Sequence, residues 1–164
     1  MNYKIIDNFL QKKDFLKIKD TVLNVDFPWY YEPIINDLHE ENKKDLTCYF
    51  THLVFDNKIN SSFFELINEI LLTKLNYSSL IRVKCNLHPH TSILEKHEFH
   101  VDYNYPHKGA IYYINTNDGM TLLQNNIEIN SIENRLLLFD SSVEHASTST
   151  TNEKARININ INYN

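Results

Sequence analysis

Glycine is almost absent from this chain. There are two, Gly109 and Gly119, ten positions apart. A dinucleotide fingerprint or a phosphate-binding P-loop needs several glycines close together, so both are excluded. Cysteine is equally scarce. Cys48 and Cys85 make no Cys-x-x-Cys pair, which leaves no disulfide scaffold and fits the reduced thiols of a cytoplasmic protein. No basic block stands out. Lys+Arg number 16 against 21 Asp+Glu, a formal charge of −5, so nothing argues for a nucleic-acid or anionic-membrane partner. Aliphatic runs such as Leu136 to Phe139 are only a few residues long, too short to span a bilayer. No charged-then-apolar signal segment opens the chain. Arginine is nearly missing, with three against 13 lysines.

What is abundant is Asn (22), Ile (18) and Lys (13), together about a third of the 164 residues. These residues share AT-rich codons, so the skew records genome bias as much as protein physics. Against that bias, each remaining Arg, Gly and Pro is more readily one that the fold or a site requires. The length suits one domain with a core that needs no disulfide or structural metal.

A short strand is expected over 3–10. A helix follows over 12–23, with Phe15, Ile18 and Val22 at helical spacing. Residues 24–45 read as polar and irregular, apart from Pro28-Trp29-Tyr30-Tyr31, and 46–55 as a strand. Asn60-Ser61-Ser62 reads as the cap of a second helix reaching Leu75, with Phe64, Ile67, Leu71 and Leu75 on one face. Eight short strands are expected next, over 80–88, 98–103, 109–115, 120–124, 126–130, 134–139, 142–147 and 154–162. Eight strands after two helices indicate a β-sandwich or barrel with a helical layer.

Three of these strands have an apolar and a polar side. Arg82, Lys84, Asn86 and His88 alternate with Ile81, Val83, Cys85 and Leu87; His100 and Asp102 with Phe99 and Val101; Arg156, Asn158 and Asn160 with Ile157, Ile159 and Ile161. The plain reading is a sheet that wets one side. The residue types point instead to a lined cavity, since a solvated face is usually Lys, Glu and Thr.

His100-Val101-Asp102 puts an imidazole and a carboxylate on one side of a strand. His145 lies later, and Arg156 follows it by eleven residues. Two histidines and a carboxylate on one face of an octahedral ion leave the opposite face open, the pattern of non-haem Fe(II) oxygenases. The planar fork of Arg156 suits a carboxylate. A zinc site at His88-Pro89-His90 with His97 is the weaker alternative, because no Cys or further spaced His completes it. His39, His52 and His107 read as surface or loop residues, Asp140-Ser141 as a turn, and Glu144 as solvent-facing.

The ordered set His100-Val101-Asp102, Ile111-Tyr112-Tyr113-Ile114-Asn115, Asn134 to Asp140, His145-Ala146-Ser147 and Arg156 with Asn158 resembles the Fe(II)/2-oxoglutarate-dependent dioxygenase superfamily. In particular it resembles the small prolyl-hydroxylase-like oxygenases of phages and bacteria, and Pro28 to Tyr31 resembles their phage-type members. The resemblance extends over nearly the whole chain. It implies a double-stranded β-helix, a jelly roll of eight strands over 80–164, with a helical support region over 1–79 packed on one sheet. It implies Fe(II) held by His100, Asp102 and His145, O2 as oxidant, and 2-oxoglutarate paired through its distal carboxylate with Arg156 and hydrogen-bonded by Tyr113. Asn86, His88 and Asn158 would reach the same cosubstrate. His88 stands where a tyrosine is common, and Arg156-x-Asn158 replaces an Arg-x-Ser pattern. Lys154 is the fallback anchor.

The implied reaction hydroxylates a substrate C–H bond with release of succinate and CO2. The substrate is a small molecule or a protein side chain, read by the loops 26–45, 88–97 and 103–108. Trp29, Tyr30 and Tyr31 either line its entrance or anchor their loop. The protein would act as a monomer or small oligomer in the cytoplasm, that of a host if viral. The alternative is a cupin-like metal-binding or non-catalytic module of the same fold.

Overall fold

The computed structural model describes residues 3–33 and 48–164. Ten strands, two α-helices and a 3-10 turn are seen among them: β1 (Lys4–Ile6), α1 (Lys12–Val22), β2 (Tyr30–Glu32), β3 (Tyr49–Asp56), α2 (Phe64–Ile70), the 3-10 turn (Leu72–Lys74), β4 (Leu80–Pro89), β5 (Lys108–Tyr113), β6 (Met120–Leu123), β7 (Ile127–Asn130), β8 (Leu136–Asp140), β9 (His145–Ser147) and β10 (Ala155–Tyr163). Seven strands form one sheet in the order β1-β8-β5-β10-β4-β3-β2, and three form a second, β7-β6-β9. All pairings between these strands are antiparallel. The expected eight-stranded jelly roll is thus observed as a seven-plus-three arrangement. No helix of the described residues is long and apolar enough to cross a membrane.

The period-two pattern gives the large sheet two unlike faces. Val83, Cys85, Ala110, Tyr112, Ile157, Ile159 and Ile161 join Phe15, Ile18 and Val22 of α1 and Ile67 and Ile70 of α2 in one core. Removing these side chains from water is the main stabilising term. The other face meets the small sheet. Its β5–β8 half is apolar, with Ile111, Tyr113, Leu137 and Phe139 packed on Leu123 and Ile129. Its β4–β10 half carries the polar residues.

Several boundaries differ from expectation. The first strand stops at Ile6, because Asn8 takes a left-handed backbone (φ 51°). The second helix is shorter, ending at Ile70 before the 3-10 turn. Asn60-Ser61-Ser62 does not cap it by a side chain; the Ser61 hydroxyl instead accepts the Phe63 N–H and contacts His52 Nε2. Residues 98–103 form no strand. Their only pairing is an isolated bridge between His100 and His145. Residues 142–144 turn rather than extend, since Asp140 draws in the Ser142 and Val143 N–H groups. Tyr30–Glu32 adds an edge strand absent from the sequence reading. Residues 34–47, with His39 and most of the 26–45 loop, lie outside the described residues.

Glycine scarcity has a structural counterpart. Among the described residues, all five non-glycine residues at positive φ are asparagines: Asn8, Asn57, Asn125, Asn126 and Asn134. Asparagine tolerates this region because its short side chain bonds locally. The two glycines serve close approach. A Cβ on Gly109 would lie 2.6 Å from Ser141 Cβ, and one on Gly119 would lie 2.5 Å from Arg156 Cδ.

Asn134 does the most for the fold. Its carboxamide oxygen accepts the Leu10 N–H (2.9 Å) and the Tyr112 hydroxyl (2.8 Å), and its Nδ2 donates to the Leu10 carbonyl (2.9 Å). It thereby ties the segment before α1 to the sheet. Asn134→Ala strands three buried polar groups and puts alanine, which tolerates the left-handed region less well than asparagine, at φ 59°. Urea unfolding is expected to show a loss of about 2–4 kcal/mol. A loss under about 0.5 kcal/mol would mean that these contacts do not hold the N-terminal segment.

Candidate active site

The site is built on the pairing of β10 with β4. Arg156 lies opposite His88, Asn158 opposite Asn86, Asn160 opposite Lys84 and Asn162 opposite Arg82. Period-two alternation turns all eight side chains to the face that meets the small sheet. A cavity of about 80 Å³ opens there, lined by Asn86, His88, Arg156 and Asn158 together with His100, Asp102 and His145.

Two chain segments bring the last three together. The His100 N–H donates to the His145 carbonyl and the His145 N–H to the His100 carbonyl, both at 2.9 Å. This bridge sets the imidazoles side by side, with ring centroids 4.7 Å apart. Asp102 follows two residues on, pointing the same way. The three donor atoms lie within 4.8 Å of one another, and no other such cluster occurs among the described residues. His145 Nδ1 bonds the Val143 carbonyl at 3.0 Å, and His100 Nδ1 lies 3.4 Å from the Glu98 carbonyl. A carbonyl only accepts, so these contacts keep the proton on Nδ1 and leave Nε2 free as a ligand. Phe139 packs edge-on against the His145 ring at 4.9 Å.

Asp102 is held at both carboxylate oxygens. Arg82 donates to Oδ1 at 2.6 Å, while Ser141 (2.6 Å) and Asn162 (2.8 Å) donate to Oδ2. Burial works to raise its pKa. The Arg82 charge, His145 and the two hydrogen bonds outweigh burial, and Asp102 stays ionised well below the usual carboxylate range. Burial lowers the His145 pKa, with Asp102 opposing, which favours the neutral imidazole a metal requires.

At the other end of the wall lies Arg156, 1% exposed. Its Nε donates to Ser131 Oγ (2.9 Å) and its Nη2 to Thr121 Oγ1 (3.0 Å). Its Nη1 is buried with no acceptor, and no carboxylate pairs with it among the described residues. An unpaired buried guanidinium is costly, so this arrangement favours an anion at Nη1. Tyr113 completes the surround: its hydroxyl hydrogen-bonds Thr121 Oγ1 at 2.8 Å and its ring lies 5.9 Å from the guanidinium carbon. Asn86 Oδ1 and His88 Nδ1 are likewise buried without partners. Asn86 Nδ2 donates to Asn158 Oδ1 at 3.1 Å. His88 stacks on Tyr49 at 5.4 Å, and burial, followed by Arg156, keeps it neutral.

All eight residues singled out from the sequence therefore converge on one region. Lys154 does not: it is exposed at the strand end. His90 is exposed too and bonds the Glu153 carbonyl, so His88, His90 and His97 do not form a zinc cluster. His52 and His107 are buried rather than at the surface. His52 bridges Pro28 and Ser61, and His107 bonds the Tyr105 carbonyl. Ser141 is more than a turn residue, because its hydroxyl holds Asp102. Sequence reading placed Arg82 on the right face but gave it no role. It missed Thr121, Ser131 and Tyr49, for which no local pattern exists.

Arg82→Met tests the support of Asp102. The exchange leaves a buried carboxylate without its cation, and unfolding at neutral pH is expected to lose about 3–5 kcal/mol. In the native protein the folded-state pKa is depressed, so the pair stabilises above the unfolded value near 3.8 and the gain is lost as pH falls further. In the variant that pKa rises instead. The gap between the two proteins should shrink as pH falls from neutral into the carboxylate range. A gap that stays constant with pH would contradict the pairing.

No family model matches the chain, and no curated protein matches it in sequence. Solved structures do match in fold. A Trichoplax adhaerens prolyl hydroxylase in complex with a hypoxia-inducible-factor peptide aligns with TM-score 0.67 at 16% identity, covering 98% of this chain and 82% of that one. A 2-oxoglutarate–Fe(II) oxygenase-family oxidoreductase from Burkholderia pseudomallei gives 0.66 at 9% identity, covering 98% and 83%. HygX from Streptomyces hygroscopicus, solved with nickel, 2-oxoglutarate and hygromycin B bound, gives 0.61 at 11% identity, covering 98% and 82%. The chain has the fold of the 2-oxoglutarate–Fe(II) oxygenases, and within it His100, Asp102 and His145 form a two-histidine, one-carboxylate cluster.

Proposed function

We propose that this chain is an Fe(II)- and 2-oxoglutarate-dependent oxygenase that hydroxylates a C–H bond of its substrate. The observation that carries this reading is the content of one cavity: a two-histidine, one-carboxylate cluster and a buried guanidinium with an unused donor. The residues fit the groups that the reading requires. Two imidazoles that leave Nε2 free and an ionised carboxylate suit Fe(II), and the orphaned Arg156 Nη1 suits a carboxylate. A metal-only cupin-like protein has no need of Arg156, and a non-catalytic module needs neither Arg156 nor the cluster. Kinship with the small prolyl-hydroxylase-like oxygenases of phages and bacteria is part of the proposal and rests on the resemblance alone; the substrate class stays a small molecule or a protein side chain.

When bound, Fe(II) with 2-oxoglutarate and O2 supplies the oxidant for C–H hydroxylation and releases succinate and CO2. The chain's own residues do the rest. His100, Asp102 and His145 hold the metal, with Arg82, Ser141 and Asn162 fixing the carboxylate and the Val143 carbonyl fixing the His145 ring. Arg156 takes the distal carboxylate of the cosubstrate, oriented by Thr121, Ser131 and Tyr113. Asn86 and His88 offer their free polar atoms along the wall, and Asn158 holds the Asn86 carboxamide. Enclosure limits water at the reacting centre.

Conversion of 2-oxoglutarate to succinate tests the proposal. His100→Ala and Asp102→Ala are expected to abolish Fe(II)-dependent turnover; undiminished turnover would sink the ligand assignment. Arg156→Ala is expected to weaken 2-oxoglutarate by about 10- to 100-fold, the worth of a charge-assisted contact, while Fe(II) binding persists. Unchanged cosubstrate affinity would remove Arg156 from this role.

A further inference from the structure

Lys84 lies on the same wall and has no part in the roles above. It sits on β4 between Arg82 and Asn86, opposite Asn160, and lines the cavity. Among the described residues it has no hydrogen-bond acceptor and no ion-pair partner. Its ammonium instead lies 5.7 Å from the centroid of the Tyr49 ring. Asn160 Oδ1 is also buried without a donor. Burial, then Arg82, lowers the Lys84 pKa to about 8, with Asp102 and Glu32 opposing. Most of the ammonium is still charged at neutral pH.

The other cations of the wall are matched. Arg82 is paired with Asp102, and on the reading above Arg156 takes the distal carboxylate of 2-oxoglutarate while the other carboxylate faces the metal. Lys84 lies four positions along β4 from His88, the residue opposite Arg156, or about 13 Å at the usual strand rise. With both cosubstrate carboxylates matched, one by Arg156 and one by the metal, Lys84 keeps a positive charge that no ion pair among the described residues neutralises. A partly desolvated ammonium with no acceptor among the described residues favours an anion.

We propose that Lys84 is a specificity-determining residue that binds an oxyanion on the substrate, so that this site selects an acidic substrate over its neutral counterpart. The inference rests on the oxygenase reading. The ligand group is a carboxylate or a phosphate, both of which an ammonium binds as a point charge.

The test uses protein loaded with Fe(II) and 2-oxoglutarate without oxygen. The probes are matched pairs, each a small carboxylic acid with its amide or a phosphate monoester with its alcohol. Binding is read from the Lys84 side-chain resonance and by calorimetry. Acid members are expected to shift that resonance and to bind at least about tenfold more tightly than their neutral partners. Lys84→Met should reduce the preference to within about twofold, and Lys84→Arg should restore it. The better acid class, carboxylate or phosphate, names the source. Equal binding of both members of every pair, no response of Lys84 to any acid, or a preference that survives Lys84→Met would each overturn the inference. So would a Lys84→Met effect confined to 2-oxoglutarate, which would assign the lysine to the cosubstrate. Failure of the wild-type protein to bind Fe(II) and 2-oxoglutarate would instead overturn the parent reading.

Discussion

The register of β10 on β4 is the constraint on which the rest of the molecule depends. Ile157, Ile159 and Ile161 face the helices, and Arg156, Asn158, Asn160 and Asn162 face the cavity. A slip of one residue would exchange the two sets. Each isoleucine contributes about 1.5–3 kcal/mol by burial, so the apolar face fixes the register by several kcal/mol. The polar face is placed as a consequence. The hydrophobic core on one side of the sheet is thus what aligns the chemistry on the other.

From that wall outward, each support of the site comes from a different part of the chain. The small sheet brings His145 and Thr121. The isolated bridge carries His100 and Asp102 to meet them. Ser131, just after β7, steadies Arg156. Gly119 leaves room for the stem of Arg156, and Gly109 leaves room for Ser141 beneath Asp102. The only glycines in the chain thus stand beside the two ends of the site, while asparagines take the left-handed turns elsewhere.

Much of this was legible in the sequence because it follows local periodicity. The alternation in β4 and β10 announced a two-faced sheet, and Phe15, Ile18 and Val22 announced the covering helix. His100, Asp102, His145 and Arg156 were recognisable as an ordered set. What escaped depends on contacts distant in sequence. Arg82 meets Asp102 across 20 positions, Ser141 across 39 and Asn162 across 60. The strand expected over 98–103 failed for a related reason. Its alternation is real, but it serves to aim His100 and Asp102 inward, and only one residue pairs along the backbone. His52 and His107 read as surface or loop residues; His107 does lie in the loop before β5, but both are buried, through partners that leave no mark on the local pattern.

The central claim is that one cavity holds a divalent metal at one end of its polar wall and a dicarboxylate at the other. A crystal structure of the protein soaked with Fe(II) and 2-oxoglutarate in the absence of oxygen tests it most directly. The account expects the metal among His100, Asp102 and His145, and a cosubstrate carboxylate on Arg156 Nη1. Metal bound at another cluster, or a cosubstrate that leaves Arg156 Nη1 without a partner, would contradict it.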